Sequence, residues 1–198
     1  MRVAIFFATR EGHTRRIAAR IAADLENSGV PVDVYNVRTA GPLDWSCYSS
    51  ACVAASVHGG THEREMIAFV KKHRAELERL SAAFVSVSLS EAGAEDEHRP
   101  DDRRRQSAAD VQRMIDLFVK TTGWRPARTL AAAGALKYTK YNLLIKFVMK
   151  RIARAMGGPT DTSRDYDFTN WPAVDRFAAE IASSVPAAGF PAIHEVSR

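Results

Sequence analysis

The sequence predicts an α/β fold built on a doubly wound parallel sheet. Short apolar runs of strand length alternate with amphipathic helical stretches, and turn residues stand at the junctions. The runs lack polar alternation, which suits strands covered by helices on both faces. Five such strands are expected, with a helical insert near the fifth.

The first strand is expected over 2–8 (RVAIFFA). Over 14–27, Ile17, Ile21 and Leu25 recur at a four-residue spacing beside Ala18 and Ala22, which makes one helical face, and Gly29 is placed to stop it. Residues 30–37 alternate like a more exposed strand. Residues 50–57 form a second buried run, broken by His58-Gly59-Gly60-Thr61. A helix over 61–80 carries Ile67, Phe69, Val70 and Leu77. A third buried strand spans 82–89, a helix 107–121, and a short apolar strand 128–135. A helix over 141–156 ends at Gly157-Gly158-Pro159, and a last amphipathic helix covers 171–183. One domain over 1–184 is expected, with the insert at about 136–160 and a loose tail over 185–198. Segment 90–105, which contains EDEHRPDDRRR, reads as a solvated loop without chemistry.

Composition narrows the function. Charge interrupts every strongly apolar stretch well short of the ~20 residues a spanning helix needs. The run from Val3 to Ala8 is too short for a signal-peptide core, so a cytoplasmic location is expected. Cys47 and Cys52 are read as small buried or half-buried thiols, not a disulfide. His62, His73, His98 and His194 lack metal-ligand spacing and are read as surface residues, and no metal is expected. Trp45, Trp124 and Trp171 are read as packing residues. Net charge is +5, and no Asp or Glu occurs over 117–160, where Lys and Arg recur. That stretch favours an anionic partner: a membrane surface or a carboxylate-bearing substrate. Nucleic acid is set aside, because no recognition motif or aromatic platform accompanies the charge.

In doubly wound sheets, ligands bind beyond the carboxyl ends of strands, which singles out loops 8–14, 57–62 and 89–107. The first offers Thr9, Thr14 and His13 as side-chain donors, Gly12 for close backbone approach, and free amides at a helix start. This would cradle a dianionic monophosphate, although a plain turn with Thr14 as helix cap accounts for the same residues. Neither GxxxxGK[ST] nor GxGxxG is present.

Ala8-Thr9-Arg10-Glu11-Gly12-His13-Thr14 resembles the phosphate loop of flavodoxins. Trp124-Arg125-Pro126, the run GALKYTKY from Gly134, Met149-Lys150, the run GGPTDT from Gly157 and Phe168-Thr169-Asn170-Trp171 resemble the quinone-dependent protoporphyrinogen oxidase branch, in the same order along nearly the whole chain. The resemblance implies a flavodoxin-like fold, FMN, and electron transfer in haem biosynthesis from a porphyrinogen to menaquinone or ubiquinone at the membrane. It further implies that Thr9, Arg10, Glu11, Gly12, His13 and Thr14 hold the FMN phosphate. Ser56, Val57, His58, Gly59 and Gly60 would form a second flavin loop, and Ser88, Leu89 and Ser90, within 86–90, a third. The second loop contributes only His58 as an aromatic group and the third none, so weak ring stacking is expected.

Within 141–156, Lys146, Lys150 and Arg154 fall on one stripe at i, i+4 and i+8, with Leu144, Phe147, Val148, Ile152 and Met156 largely away from it. A basic amphipathic helix could meet a membrane surface at the inner face of the cell membrane, hold porphyrin propionates, or pack on the sheet with a solvated basic face. Lys137, Lys140 and Arg151 join this substrate- or membrane-facing set. The leading expectation is an FMN-dependent porphyrinogen dehydrogenase. The rivals are a flavodoxin-type electron carrier and a flavodoxin fold that has lost FMN.

Overall fold

A computed structural model describes residues 2–80, 82–155 and 158–185. Strand β1 (Arg2–Ala8) enters helix α1 (His13–Asn27), followed by β2 (Val32–Asn36), β3 (Tyr48–His58) and the short β4 (Thr61–His62). Helices α2 (Arg64–Lys72) and α3 (Arg74–Arg79) lead to β5 (Ala83–Ser88), then to α4 (Leu89–Glu95) and α5 (Asp101–Thr122). Strand β6 (Arg128–Ala133), β7 (Ala135–Leu136), α6 (Leu143–Ala155), β8 (Tyr166–Asp167) and α7 (Trp171–Ser184) complete the order. Strands β2-β1-β3-β5-β6 lie side by side, all parallel. This is the flavodoxin-like order, in which winding reverses between β1 and β3.

The pleat of β1 explains the two-layer core. Val3, Ile5 and Phe7 point to one face, where Ile17, Ile21 and Leu25 of α1 and Val174, Phe177 and Ile181 of α7 cover them. Ala4, Phe6 and Ala8 point to the other, against Met66, Phe69 and Val70 of α2 and Val111, Met114, Ile115 and Phe118 of α5. Phe84 stacks on Phe118 at 4.4 Å between ring centres. Each large side chain buried this completely contributes about 1.5–3 kcal/mol.

Several expectations need correction. Segment 90–105 is mostly helical. Ser88 Oγ caps α4 by accepting from Glu91 N at 3.2 Å, and Asp101 and Asp102 sit at the positive end of α5. The charge read as loop is therefore partly helix-start chemistry. The expected helix over 61–80 is displaced at its start by β4, which folds back on β3 through Gly59 and Gly60 at φ +58° and +79°. Both glycines take the left-handed conformation that a two-residue hairpin turn demands. His62 is not at the surface: it is 2% exposed and shares a hydrogen bond with Ser86 Oγ at 2.9 Å. His73 is half-buried against Trp45 and Phe69, whereas His98 is exposed. Cys52 is buried, but Cys47 is exposed. His194 and the tail from 186 onward lie outside the described residues. Among the described residues no helix is long and apolar enough to cross a membrane.

Candidate functional site

The carboxyl ends of β1, β3 and β5 open on one cleft of about 400 Å³. Thr9, Glu11, His13 and Thr14 line it from the first loop, Ser56 to Gly60 from the second, and Ser88, Leu89 and Ser90 from the third. Three separated segments of sequence are thus brought together. Arg10 and Gly12 lie just outside the lining, on the outer side of the first loop.

The first loop is a tight turn. Gly12 N donates to Thr9 Oγ1 at 3.0 Å, and Gly12 takes φ +88° at the N-cap of α1. That conformation suits glycine and lets the chain enter the helix directly. Among the described residues no side chain caps α1. Arg16 N is the first helical amide to find its partner, Gly12 O, so the amides before it remain available to an anion. The hydroxyl of Thr14 is buried without a hydrogen-bond partner among the described residues, as is Nδ1 of His13. A buried polar atom left unpaired costs about 1–3 kcal/mol. The Thr14 hydroxyl, a donor without a partner, suits a bound phosphate, and the alternative of Thr14 as a cap does not hold.

His13 is fixed from its other nitrogen. Nε2 lies 2.6 Å from Thr169 Oγ1, and that hydroxyl donates to Ala133 O at 2.8 Å. The hydroxyl proton is committed, so Nε2 carries the hydrogen and Nδ1 is bare in the neutral ring. Burial lowers the His13 pKa, against the opposing pull of Asp167. Neither Thr169 nor Asp167 is legible as a site residue in the sequence, since both stand far along the chain from the loop they support.

The residue that ties the loops together is Glu63, also unread in the sequence. Its side chain is 0% exposed. It accepts from Arg10 Nε at 3.2 Å and from Ser56 Oγ at 3.2 Å, and it faces His58 Nε2 at 3.2 Å. One buried carboxylate therefore fastens the first loop to the second. Burial lowers the His58 pKa, while Glu63 opposes that shift. The nearest sequence signal was Glu63 at the N-cap position of α2, shortly after a glycine turn.

The insert closes one side. Tyr141 OH donates to Glu11 Oε2 at 2.8 Å and Lys140 Nζ to Glu11 O at 3.2 Å. Tyr141 and Met149 line the cleft, opposite Arg113 and Met114 of α5. Tyr141 thus adds an aromatic ring that the second and third loops do not supply. Lys137 pairs with Asp165 at 3.4 Å.

Helix α6 turns its apolar side chains outward, an inversion of the usual amphipathic arrangement. Leu143, Leu144, Phe147 and Val148 are 86%, 74%, 60% and 46% exposed. Lys146 and Lys150 are half-buried on the inward side with Met149 and the buried Ala153. Arg151 and Arg154 share the outward face. The stripe of Lys146, Lys150 and Arg154 therefore does not form one exposed surface. Ile152 and Met156 are not described at side-chain level. Among the described residues no cluster of His, Cys, Asp or Glu could hold a metal ion.

Residues 4–163 match the Flavodoxin domain family, a span that takes in the whole insert. The chain is 35% identical over 182 residues, 92% of its length, to an Escherichia coli (strain K12) protein named protoporphyrinogen IX dehydrogenase [quinone], and covers 95% of that protein. A Leishmania major protein of the same name is 28% identical over 90% of this chain and 74% of its own. In three dimensions the chain resembles a cysteine-to-serine mutant of flavodoxin from Pseudomonas aeruginosa, with TM-score 0.53 and 12% identity over 93% of this chain and 99% of that one. It also resembles a short-chain flavodoxin associated with a bacterial microcompartment, with TM-score 0.52 and 13% identity over 93% and 99%. These two likenesses concern the fold. Sequence match and strand order together establish that the chain belongs to the Flavodoxin domain family, a membership that implies a flavin cofactor.

Proposed function

We propose that this protein is an FMN-dependent oxidoreductase that dehydrogenates protoporphyrinogen IX and passes the electrons to a quinone, a step of haem biosynthesis. The reading rests chiefly on one observation: the insert is a wall of the flavin cleft, through Tyr141 and Met149, and also presents an exposed apolar face. A cleft joined in this way to a lipid-compatible surface suits a water-borne donor and a lipid-borne acceptor. The names of relatives similar over most of the chain support the same reading.

Thr9, Gly12, Thr14 and the first amides of α1 would hold the FMN phosphate. Residues 56–60 and 88–90 would flank the ring. FMN supplies the redox chemistry, accepting two electrons at a time. Glu63 holds the first and second loops at a fixed separation and fixes His58 beside the ring position. Tyr141 and Met149 limit water access from the insert side. Arg113 at the cleft mouth, paired with Asp110 at 2.9 Å, is placed to attract a porphyrinogen carboxylate. Each substrate molecule needs three two-electron oxidations, which yield three quinols.

Leu143, Leu144, Phe147 and Val148, flanked by Arg151 and Arg154, would dock peripherally on an anionic membrane, with menaquinone or ubiquinone as the lipid-borne acceptor. The apolar side chains supply burial and the arginines meet lipid headgroups. The test is anaerobic: protein reconstituted with FMN receives protoporphyrinogen and a water-soluble naphthoquinone. Porphyrin fluorescence should grow well above the protein-free rate. Growth at the protein-free rate, with flavin bound, overturns the assignment.

A further inference from the structure

A second cavity, of about 510 Å³, adjoins the flavin cleft, and Leu89 of the third loop lines both. Its walls are mainly apolar, from Leu89, Leu136, Ala153 and Phe168. Polar groups border it at Glu95, Asp96, Arg99 and Asn170.

We infer that this second cavity is the seat of the electron acceptor, a neutral lipid-soluble quinone, and that the porphyrinogen does not enter it. The inference rests on the porphyrinogen–quinone reading above.

Charge separates the two substrates. Two carboxylates border the cavity, and Arg99 beside them already pairs with Asp96 at 3.3 Å. A porphyrinogen brings two propionates, which Glu95 and Asp96 would repel. A quinone brings none. It offers carbonyl oxygens, and the Asn170 side-chain amide can donate to one of them. The present partner of that amide, Glu95 Oε1, is a long 3.5 Å away, near the outer limit of a useful hydrogen bond.

Access also favours a lipid-soluble ligand. Ala153 on the inner side of α6 lines the cavity, while the outer side of the same helix carries the exposed leucines and Phe147. A quinone leaving a lipid surface on which α6 rests would pass beneath that helix into the cavity. There it would stand one side chain, Leu89, from the flavin cleft. The chemistry balances: two electrons and two protons leave the porphyrinogen, and one quinone takes up two electrons and two protons as it becomes the quinol.

The test fills the cavity with Ala92→Trp, in α4 two residues past the third flavin loop, so FMN affinity of the variant is measured alongside. Rates are measured with FMN-loaded protein, protoporphyrinogen, and either 2-methyl-1,4-naphthoquinone or ferricyanide as acceptor. The ratio of quinone-linked to ferricyanide-linked rate should fall at least tenfold. An unchanged ratio overturns the inference. A second measurement on the unmodified protein guards against misfolding of the variant: calorimetric binding of 2-methyl-1,4-naphthoquinone with and without saturating protoporphyrin. Separate sites predict the same Kd in both. A naphthoquinone Kd that rises in proportion to porphyrin means one shared site and overturns the inference. The broader reading fails differently, by absence of porphyrinogen oxidation with ferricyanide as well.

Discussion

The two ends of the cleft are built in opposite ways. At the phosphate end, short loops leave a buried hydroxyl and a bare imidazole nitrogen unpaired among the described residues, and hydrogen bonds to Glu63 hold the backbone in place. At the insert end, the polar side chains of 137–141 are spent on Glu11, Asp165 and the Pro159 carbonyl, while apolar side chains face outward. The first region has unmet polar needs, which a ligand answers. The second has unmet apolar surface, which only a lipid or protein surface answers. One chain thus carries an unpaired polar loop and an exposed apolar face about a single helical insert apart.

The comparison is broken most severely at Glu63. Glu63 is buried, but the Arg10 side chain is 56% exposed and regains water when its partner is removed, so the cost is that of the lost charge-assisted hydrogen bonds, about 1.5–3 kcal/mol. Glu63→Ala should therefore lower unfolding stability by that order, read from urea titration of the flavin-free protein, and should weaken FMN binding as the two loops separate. A loss below about 1 kcal/mol would mean that Arg10 and His58 do not depend on this carboxylate.

His62 gives the next effect, through pH. Burial pushes its pKa down to about 4 from an ordinary 6.5. Below 6.5 the unfolded chain gains a proton at this residue that the folded chain refuses until about pH 4. Stability contributed by the neutral ring is thus whole above 6.5 and is lost as pH falls towards 4, by up to about 3 kcal/mol. His62→Gln should flatten the slope of stability against pH between these values. An equal slope in the variant would assign the acid sensitivity elsewhere.

Gly12 tests the phosphate end itself. A β-branched residue at φ +88° is strained whatever the space around it, by about 1–3 kcal/mol. Gly12→Val should weaken FMN by about thirtyfold, the equivalent of roughly 2 kcal/mol, read by flavin fluorescence, with thermal unfolding of the flavin-free protein measured alongside. Strain absorbed entirely as lower stability, with FMN affinity intact, would show that the turn is not shaped by the phosphate. Thr14→Val keeps the shape and removes the orphan hydroxyl, so it should weaken FMN binding while leaving the flavin-free protein as stable or more stable.

Legibility differed between the same two regions. The first loop could be placed because its features are local: Thr9, Gly12 and Thr14 stand within one turn, and the strand before them and helix after them follow from periodicity. The five parallel strands were likewise marked by apolar runs, with alternation in the second. What could not be read depends on distant partners. Glu63 looks like any helix-start acid until β4 turns the chain and buries it. Thr169 is a plain threonine until it meets His13. The insert was legible as a helix, but the face it turns inward was not. Helical spacing sorts side chains into faces but does not say which face turns inward, and charge is usually solvated. Here the small Ala153 and the flexible Met149 pack inward, and the lysines beside them are carried in too, their stems half-buried.

That inversion supplies the smallest effect, and it is the one that distinguishes a lipid-facing helix from a merely basic one. Phe147→Asp with Leu144→Asp should abolish most binding to vesicles containing anionic lipid while leaving unfolding stability nearly unchanged, because both side chains are exposed in the free protein. Arg151→Gln with Arg154→Gln should weaken the same binding by about 1 kcal/mol per charge, more at low salt than at high. Lys146→Gln with Lys150→Gln should change it less than the arginine pair does, since these lysines are half-buried while Arg151 and Arg154 are exposed. A lysine pair that mattered as much as the arginines would restore the basic stripe as the docking face and would require α6 to roll about its axis on the membrane.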